Sequence, residues 1–115
     1  DRDMLYMATA PWTTTHHRIP MLIVMHNNRA YHQWVMHLQR MANRRQRGVE
    51  LAAHGLPGAT IGDPDIDFAQ LARSMGAYAE GPIANPAELR PALLRAVERA
   101  EKGEVALLDT RTQPR

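Results

Sequence analysis

Two adjacent amides, Asn27 and Asn28, follow the clearest short apolar run of the chain, Met21-Leu22-Ile23-Val24-Met25-His26. In open parallel sheets ligands bind outside the carboxyl ends of the strands, and the amide pair holds that position. An amide oxygen there can ligate a hard cation, and the backbone N–H groups that follow can face a phosphate. The same pair also has the form of a cap for the next helix. Other chemistry is thinner. The chain has six histidines and no cysteine, so disulfides, thiolate nucleophiles and Cys-type zinc sites are excluded. His16 and His17 are neighbours and do not converge on one metal from a helix. Arg40, Arg44, Arg45 and Arg47 form a basic stripe without an interleaved aromatic platform, which reads as a solvated face rather than a nucleic-acid site. No Ser-His-Asp or paired-carboxylate constellation stands out.

The elements that must position the amides can be read from periodicity. Pro20 starts the strand Met21–His26, and its apolar residues lack strict alternation, as in a strand buried on both faces. Before it, residues 9–17 suit a short helix with Thr9 as N-cap and Pro11 in the first turn. After the pair, Tyr31, Trp34, Val35, Leu38, Met41 and Ala42 recur at helical spacing, and Gly48 is the expected stop. Residues 48–64 carry four glycines and two prolines, a connection that is either a binding loop or disordered. Phe68, Leu71, Ala72 and Met75 form a second stripe that Gly76 ends. Residues 77–80 read as a strand. Asn85-Pro86-Ala87-Glu88 has the form of a capping box with a first-turn proline, opening a helix to Gly103 that Pro91 is expected to kink. Residues 105–109 form a last strand. The resulting order, α-β-α-loop-α-β-α-β, argues for a parallel α/β sheet with helices on its faces.

With 115 residues, 44% of them apolar, the chain can build one modest core. Formal net charge is +2, and the sequence pI near 9.5 suits anionic ligands without demanding nucleic acid. The seven methionines read as core filler, and Trp12 and Trp34 as core or interface anchors. No apolar run approaches the roughly 18 residues of a membrane span. A soluble cytoplasmic protein is the default expectation.

Asp1-Arg2-Asp3, then Trp12-Thr13, His16-His17-Arg18-Ile19-Pro20 and His26-Asn27-Asn28-Arg29-Ala30-Tyr31, together resemble the thiamine-diphosphate motif of the thiamine-diphosphate-dependent enzymes. In that family a Gly-Asp-Gly triplet precedes an Asn-Asn pair at a set distance, and here Asp1 and Asn28 stand 27 positions apart. The likeness continues through Asp63-Pro64-Asp65-Ile66-Asp67-Phe68-Ala69, Met75-Gly76-Ala77-Tyr78 and the closing Asp109-Thr110-Arg111-Thr112-Gln113-Pro114-Arg115. It implies a three-layer parallel α/β fold, with residues 1–115 as the C-terminal part of one thiamine-diphosphate-binding domain. The parent would resemble acetolactate synthase or a benzoylformate-type decarboxylase, acting on a 2-oxo acid as a homo-oligomer, without nucleic acid or membrane as a partner.

The resemblance also implies roles. Asp1 would give a carboxylate to Mg²⁺, Asn28 its side-chain oxygen and Ala30 its backbone carbonyl, with diphosphate oxygens and a water completing the octahedron. The reactive thiazolium carbon belongs to the cofactor, and whether CO₂ loss or addition to a second carbonyl follows is left open. Family members hold the cofactor between two domains, usually of different subunits, and a glutamate of the other domain activates the aminopyrimidine. No catalytic residue is expected in this chain. Two departures stand out. The first glycine of the triplet and the strand leading into it are missing, which gives the expectation of an N-terminally truncated chain that is inactive alone. Arg2 replaces the second glycine, where it either pairs with diphosphate oxygens or obstructs them. The rival reading is a non-catalytic remnant or interaction module that keeps the fold without the cofactor.

Overall fold

The structure is a computed structural model and describes residues 1–49 and 58–113. Among the described residues eight elements run in the order α1 (Arg2–Tyr6), α2 (Ala10–His16), β1 (Met21–Asn27), α3 (His32–Arg45), α4 (Phe68–Ser74), β2 (Tyr78–Ile83), α5 (Pro86–Glu101) and β3 (Val105–Arg111). The three strands form one sheet in the order β1-β3-β2, and both pairings are parallel. The alternation of strand and helix signals in the sequence leads to this α/β arrangement.

The last strand lies in the middle because it is apolar on both faces. Val105 and Leu107 pack with Ala69 and Ala72 of α4, Ala77, Ala79 and, at the margin, Met4 and Ile23. Ala106 and Leu108 point the other way and pack with Ala92 and Ala96 of α5, Ile83, Leu22 and Leu93. Successive strand residues face opposite sides, so an unbroken apolar run requires cover on both. Small alanines on both helices let them lie close to the sheet. The outcome is three layers, helix, sheet and helix.

Local signals explain several boundaries. Thr9 is the N-cap residue of α2 and Pro11 lies in its first turn, as the sequence predicts. Asn85 caps α5 by accepting from the Ala87 N–H at 3.0 Å, and Pro86 occupies the first turn. Pro91 does not divide α5, which continues to Glu101. Only one ladder bond is lost at a proline so near the amino end, where the remaining turns are held by packing.

Other expectations are corrected. Arg2–Tyr6 forms a helix that periodicity does not announce, since five residues are too few for a pattern. α3 ends at Gln46 in the left-handed region, φ 50°, rather than at Gly48. In α4 the buried residues are Phe68, Ala69 and Ala72, a stripe rotated from the expected one. β2 runs three residues past Glu80, to Ile83. Trp12 and Trp34 are exposed, at 53% and 58%, which excludes the core half of their core-or-interface expectation, and only Met25 among the described methionines belongs to the buried core. The expected loop over residues 48–64 lies partly outside the described residues.

Candidate functional site

β1 delivers its last side chains alternately. Met25 and Asn27 are buried while His26 between them is exposed. Asn27 therefore turns inward, where its Nδ2 donates to Asp109 Oδ1 at 2.9 Å. Asn28 is the first residue beyond the strand. Its Oδ1 accepts the Ala30 N–H at 3.0 Å, a side-chain turn that an asparagine makes with the residue two ahead. Arg29 sits between them with φ 55°, left-handed without being a glycine.

That conformation turns the chain so that both backbone groups of Arg29 find partners. Its N–H donates to Asp1 Oδ2 at 2.6 Å, and its carbonyl accepts the Ile61 N–H at 2.7 Å. Ala30 bridges Thr60, and the Tyr31 N–H donates to the Ala59 carbonyl at 2.8 Å. The turn is thus held by Asp1 and by residues 59–61.

Asp1 reaches the site from the far end of the sequence. Its Oδ1 caps α1 through the Arg2 N–H at 2.8 Å, and its main-chain nitrogen donates to the His26 carbonyl at 3.2 Å. Asp1, Arg2, Asn28 and Ala30, the four residues singled out from the sequence, line one cavity of about 550 Å³. Ile23 and Met25 line it from the strand, with His26, Tyr31, His32 and Gln33 also contributing. A neighbouring cleft shares His26, Asn28 and His32 and adds Thr112 and Gln113. The volume lies in the range of small-molecule and cofactor sites, roughly 300–1,000 Å³.

The donor set is oxygen only. Among the described residues no group of three His, Cys, Asp or Glu side chains could hold a metal ion, so a cage made by side chains of those types is absent. One carboxylate, one amide oxygen and one carbonyl suit a hard cation that takes its remaining ligands from water and a bound anion. Each Asp1 oxygen and Asn28 Oδ1 accepts one backbone N–H, and an sp² oxygen keeps a second lone pair for a cation. On this count the residues fit a divalent cation and an anionic partner. Arg2 lies in the helical region within α1, so its backbone makes no demand for glycine. Its side chain lines the cavity and its Nε donates to Asp3 Oδ1 at 3.2 Å.

The buried pair below the turn is what the sequence reading missed. Asn27 and Asp109 are the buried polar residues of the described chain, at 4% and 1% exposure. Burial, first of all, pushes the Asp109 carboxyl above its usual range, with the charge of Asp67 adding and the Asn27 hydrogen bond and Arg111 opposing. A signal was present: Asp109 closes an otherwise apolar strand, and Asn27 shares the inward parity of Met25.

A parallel α/β sheet with a cavity of mixed polar and apolar lining at the carboxyl end of an edge strand has the form of a ligand-binding α/β domain. The chain matches the family model of the thiamine pyrophosphate enzyme, C-terminal TPP binding domain, over residues 1–110, and it belongs to that family. It is accordingly a thiamine-diphosphate-binding domain. No curated protein and no solved structure matches it. No helix among the described residues is long and apolar enough to cross a membrane.

Proposed function

We propose that the chain binds thiamine diphosphate through Mg²⁺, as the diphosphate-holding side of a 2-oxo-acid decarboxylase or carboligase similar to acetolactate synthase. The observation that carries this reading is the convergence of Asp1, Asn28 and Ala30 on one cavity, with Asp1 tied to the amide turn at 2.6 Å. In this role Asp1 and Asn28 give side-chain oxygens to the cation and Ala30 its carbonyl. When bound, the cofactor supplies a nucleophilic thiazolium carbon and an electron sink. The protein's part is to fix the diphosphate, and the metal rather than a basic cluster neutralises it. The intact enzyme acts as a homo-oligomer on a 2-oxo acid, with no role for nucleic acid or membrane.

Titration calorimetry of the intact protein tests the reading. Thiamine diphosphate should bind with Mg²⁺, fail to bind with chelator, and bind at least tenfold more weakly to Asn28→Ala, the scale on which metal-site residues act. Equal affinity for Asn28→Ala and wild type would sink the assignment.

Arg2 supports a second reading, a remnant or interaction module that keeps the fold without the cofactor, because its side chain lines the same cavity. Arg2→Gly discriminates. Tighter binding in the variant means that the arginine obstructs, and weaker binding means that it pairs with the diphosphate.

A further inference from the structure

Three side-chain atoms below the amide turn are buried and have no hydrogen-bond partner among the described residues: Asn27 Oδ1, Arg29 Nε and Asp109 Oδ2. Orphaned buried polar atoms are uncommon in folded proteins, and each needs an explanation. Two of them are complementary, an N–H donor on Arg29 and a carbonyl acceptor on Asn27. Both residues line one small cavity of about 10 Å³, together with Ile61, Asp65, Ile66, Phe68 and Arg111. A cavity of roughly 10–15 Å³ holds one water, provided that two to four polar groups surround it.

We propose that Arg29 is a positioning residue of the cation site, anchored by a single buried water that accepts from its Nε–H and donates to Asn27 Oδ1. Asp65 lines the same cavity and can take the second water hydrogen. Its other oxygen is engaged by Arg111 Nη2 at 2.9 Å. The water joins the end of β1, the left-handed turn and the segment before α4 at one point.

The consequence reaches the site through the backbone. Arg29 presents its N–H to Asp1 Oδ2 only while φ stays near 55°, a conformation that costs a non-glycine residue about 1–2 kcal/mol. Glycine would adopt this turn more easily, yet would have no side chain to hold it in place. The anchored arginine fixes the spacing between the Asp1 carboxylate and Asn28, which one cation must span. The guanidinium touches neither cation nor cofactor in this account.

Two substitutions separate the anchor from mere bulk. Methionine places a methyl carbon where arginine has Nε, and glutamine can place an amide N–H there. Both keep a side chain at the same strained φ. The inference rests on the proposed cofactor reading, so Asn28→Ala is measured alongside. In the intact protein at saturating Mg²⁺, Arg29→Met should weaken thiamine diphosphate binding roughly tenfold, while Arg29→Gln stays within about twofold of wild type. A high-resolution crystal structure should show an ordered water within hydrogen-bond distance of Arg29 Nε and Asn27 Oδ1. Melting followed by circular dichroism confirms that both variants are folded at the assay temperature. Equal affinities for the two variants, whether both intact or both reduced, overturn the anchor, as does an Arg29 Nε without a water in the crystal. If Asn28→Ala is also without effect, the cofactor reading itself has failed. If only Asn28→Ala weakens binding, the cofactor reading stands and the anchor alone is wrong.

Discussion

At Asp109 a carboxyl group is buried at the end of the central strand, where the Asn27 amide holds one oxygen and the other has no partner among the described residues. Because burial raises its proton affinity, the folded chain binds this proton more tightly than the unfolded chain does. The contribution to stability is therefore complete below the ordinary carboxylate range and is lost as pH rises through the raised value. Asp109→Asn removes that loss. Relative to wild type, the variant should gain stability between about pH 4 and neutrality, read as urea midpoints across the series; parallel curves would remove Asp109 as the cause. The backbone of the same residue constrains Gly81 across the sheet. A Cβ on Gly81 would lie 2.6 Å from Asp109 Cβ and 2.7 Å from its carbonyl oxygen, and φ is 138°. Gly81→Ala is expected to cost roughly 2–4 kcal/mol, strain and overpacking together. Denaturant unfolding decides, and a change below about 0.5 kcal/mol, the range of ordinary surface substitutions, would mean that β2 shifts freely.

Between elements, the best-defined polar link fastens α5 to β2. Arg95 grips Glu80 with Nε at 2.8 Å and Nη2 at 2.6 Å, the Tyr78 hydroxyl donates to the same carboxylate, and the Arg99 guanidinium lies 4.9 Å over the Tyr78 ring. The hydrogen bonds from Arg95, ahead of opposing burial, hold the Glu80 carboxyl below its usual range. Its contribution is thus present above the ordinary carboxylate range and lost as pH falls through the lowered value, the opposite sign to Asp109. Arg95→Ala should raise the Glu80 midpoint in an NMR titration, and an unmoved midpoint would show that the pair does not persist in solution. The contrast between elements also shows what sequence can convey. The spans of β1, β3, α2 and α5 were legible because their apolar runs, caps and first-turn prolines are local signals, although β1 is an edge strand with Val24 exposed rather than a strand buried on both faces. The start of α1 was not, since its cap is Asp1 and its packing comes from Met4 against a distant cluster. The end of α3 was misplaced because a glycine is the usual left-handed residue, whereas Gln46 takes that role here. The three residues of the proposed cation site, and Arg2 beside them, could be named through family resemblance, but the closure through Arg29 depends on a contact 28 positions apart in sequence. No periodicity encodes such a contact.

On the scale of the whole chain, the radius of gyration is 16.8 Å, against about 13 Å for a compact domain of this length. The excess has a visible source. α3 buries none of its residues and packs extensively on no other element among those described. A helix of 14 residues is marginal by itself in water, so its stability depends on a covered apolar face. Trp34 on α3, Val24 on β1, and Tyr6 and Met7 at the end of α1 are exposed apolar surface of the same kind, and β1 is an edge strand of the sheet among the described residues, a position that favours association. The cavity wall contains Asp1 and Asp3 but no glutamate, so the described residues do not supply the group that family resemblance assigns to the aminopyrimidine. The proposed role, as the diphosphate-holding side of a two-sided site, predicts that the 115-residue chain on its own self-associates and shows no decarboxylase or carboligase turnover. Sedimentation velocity over a hundredfold concentration range should reveal association. Activity is read as CO₂ release from pyruvate and benzoylformate with Mg²⁺ and thiamine diphosphate, with and without an added amino-terminal portion of a related enzyme. Turnover by the chain alone, above that of free cofactor, would show that one side of the site suffices. Turnover only after the addition is the expected result, because the other side of the proposed site and a cover for the apolar surface then arrive together.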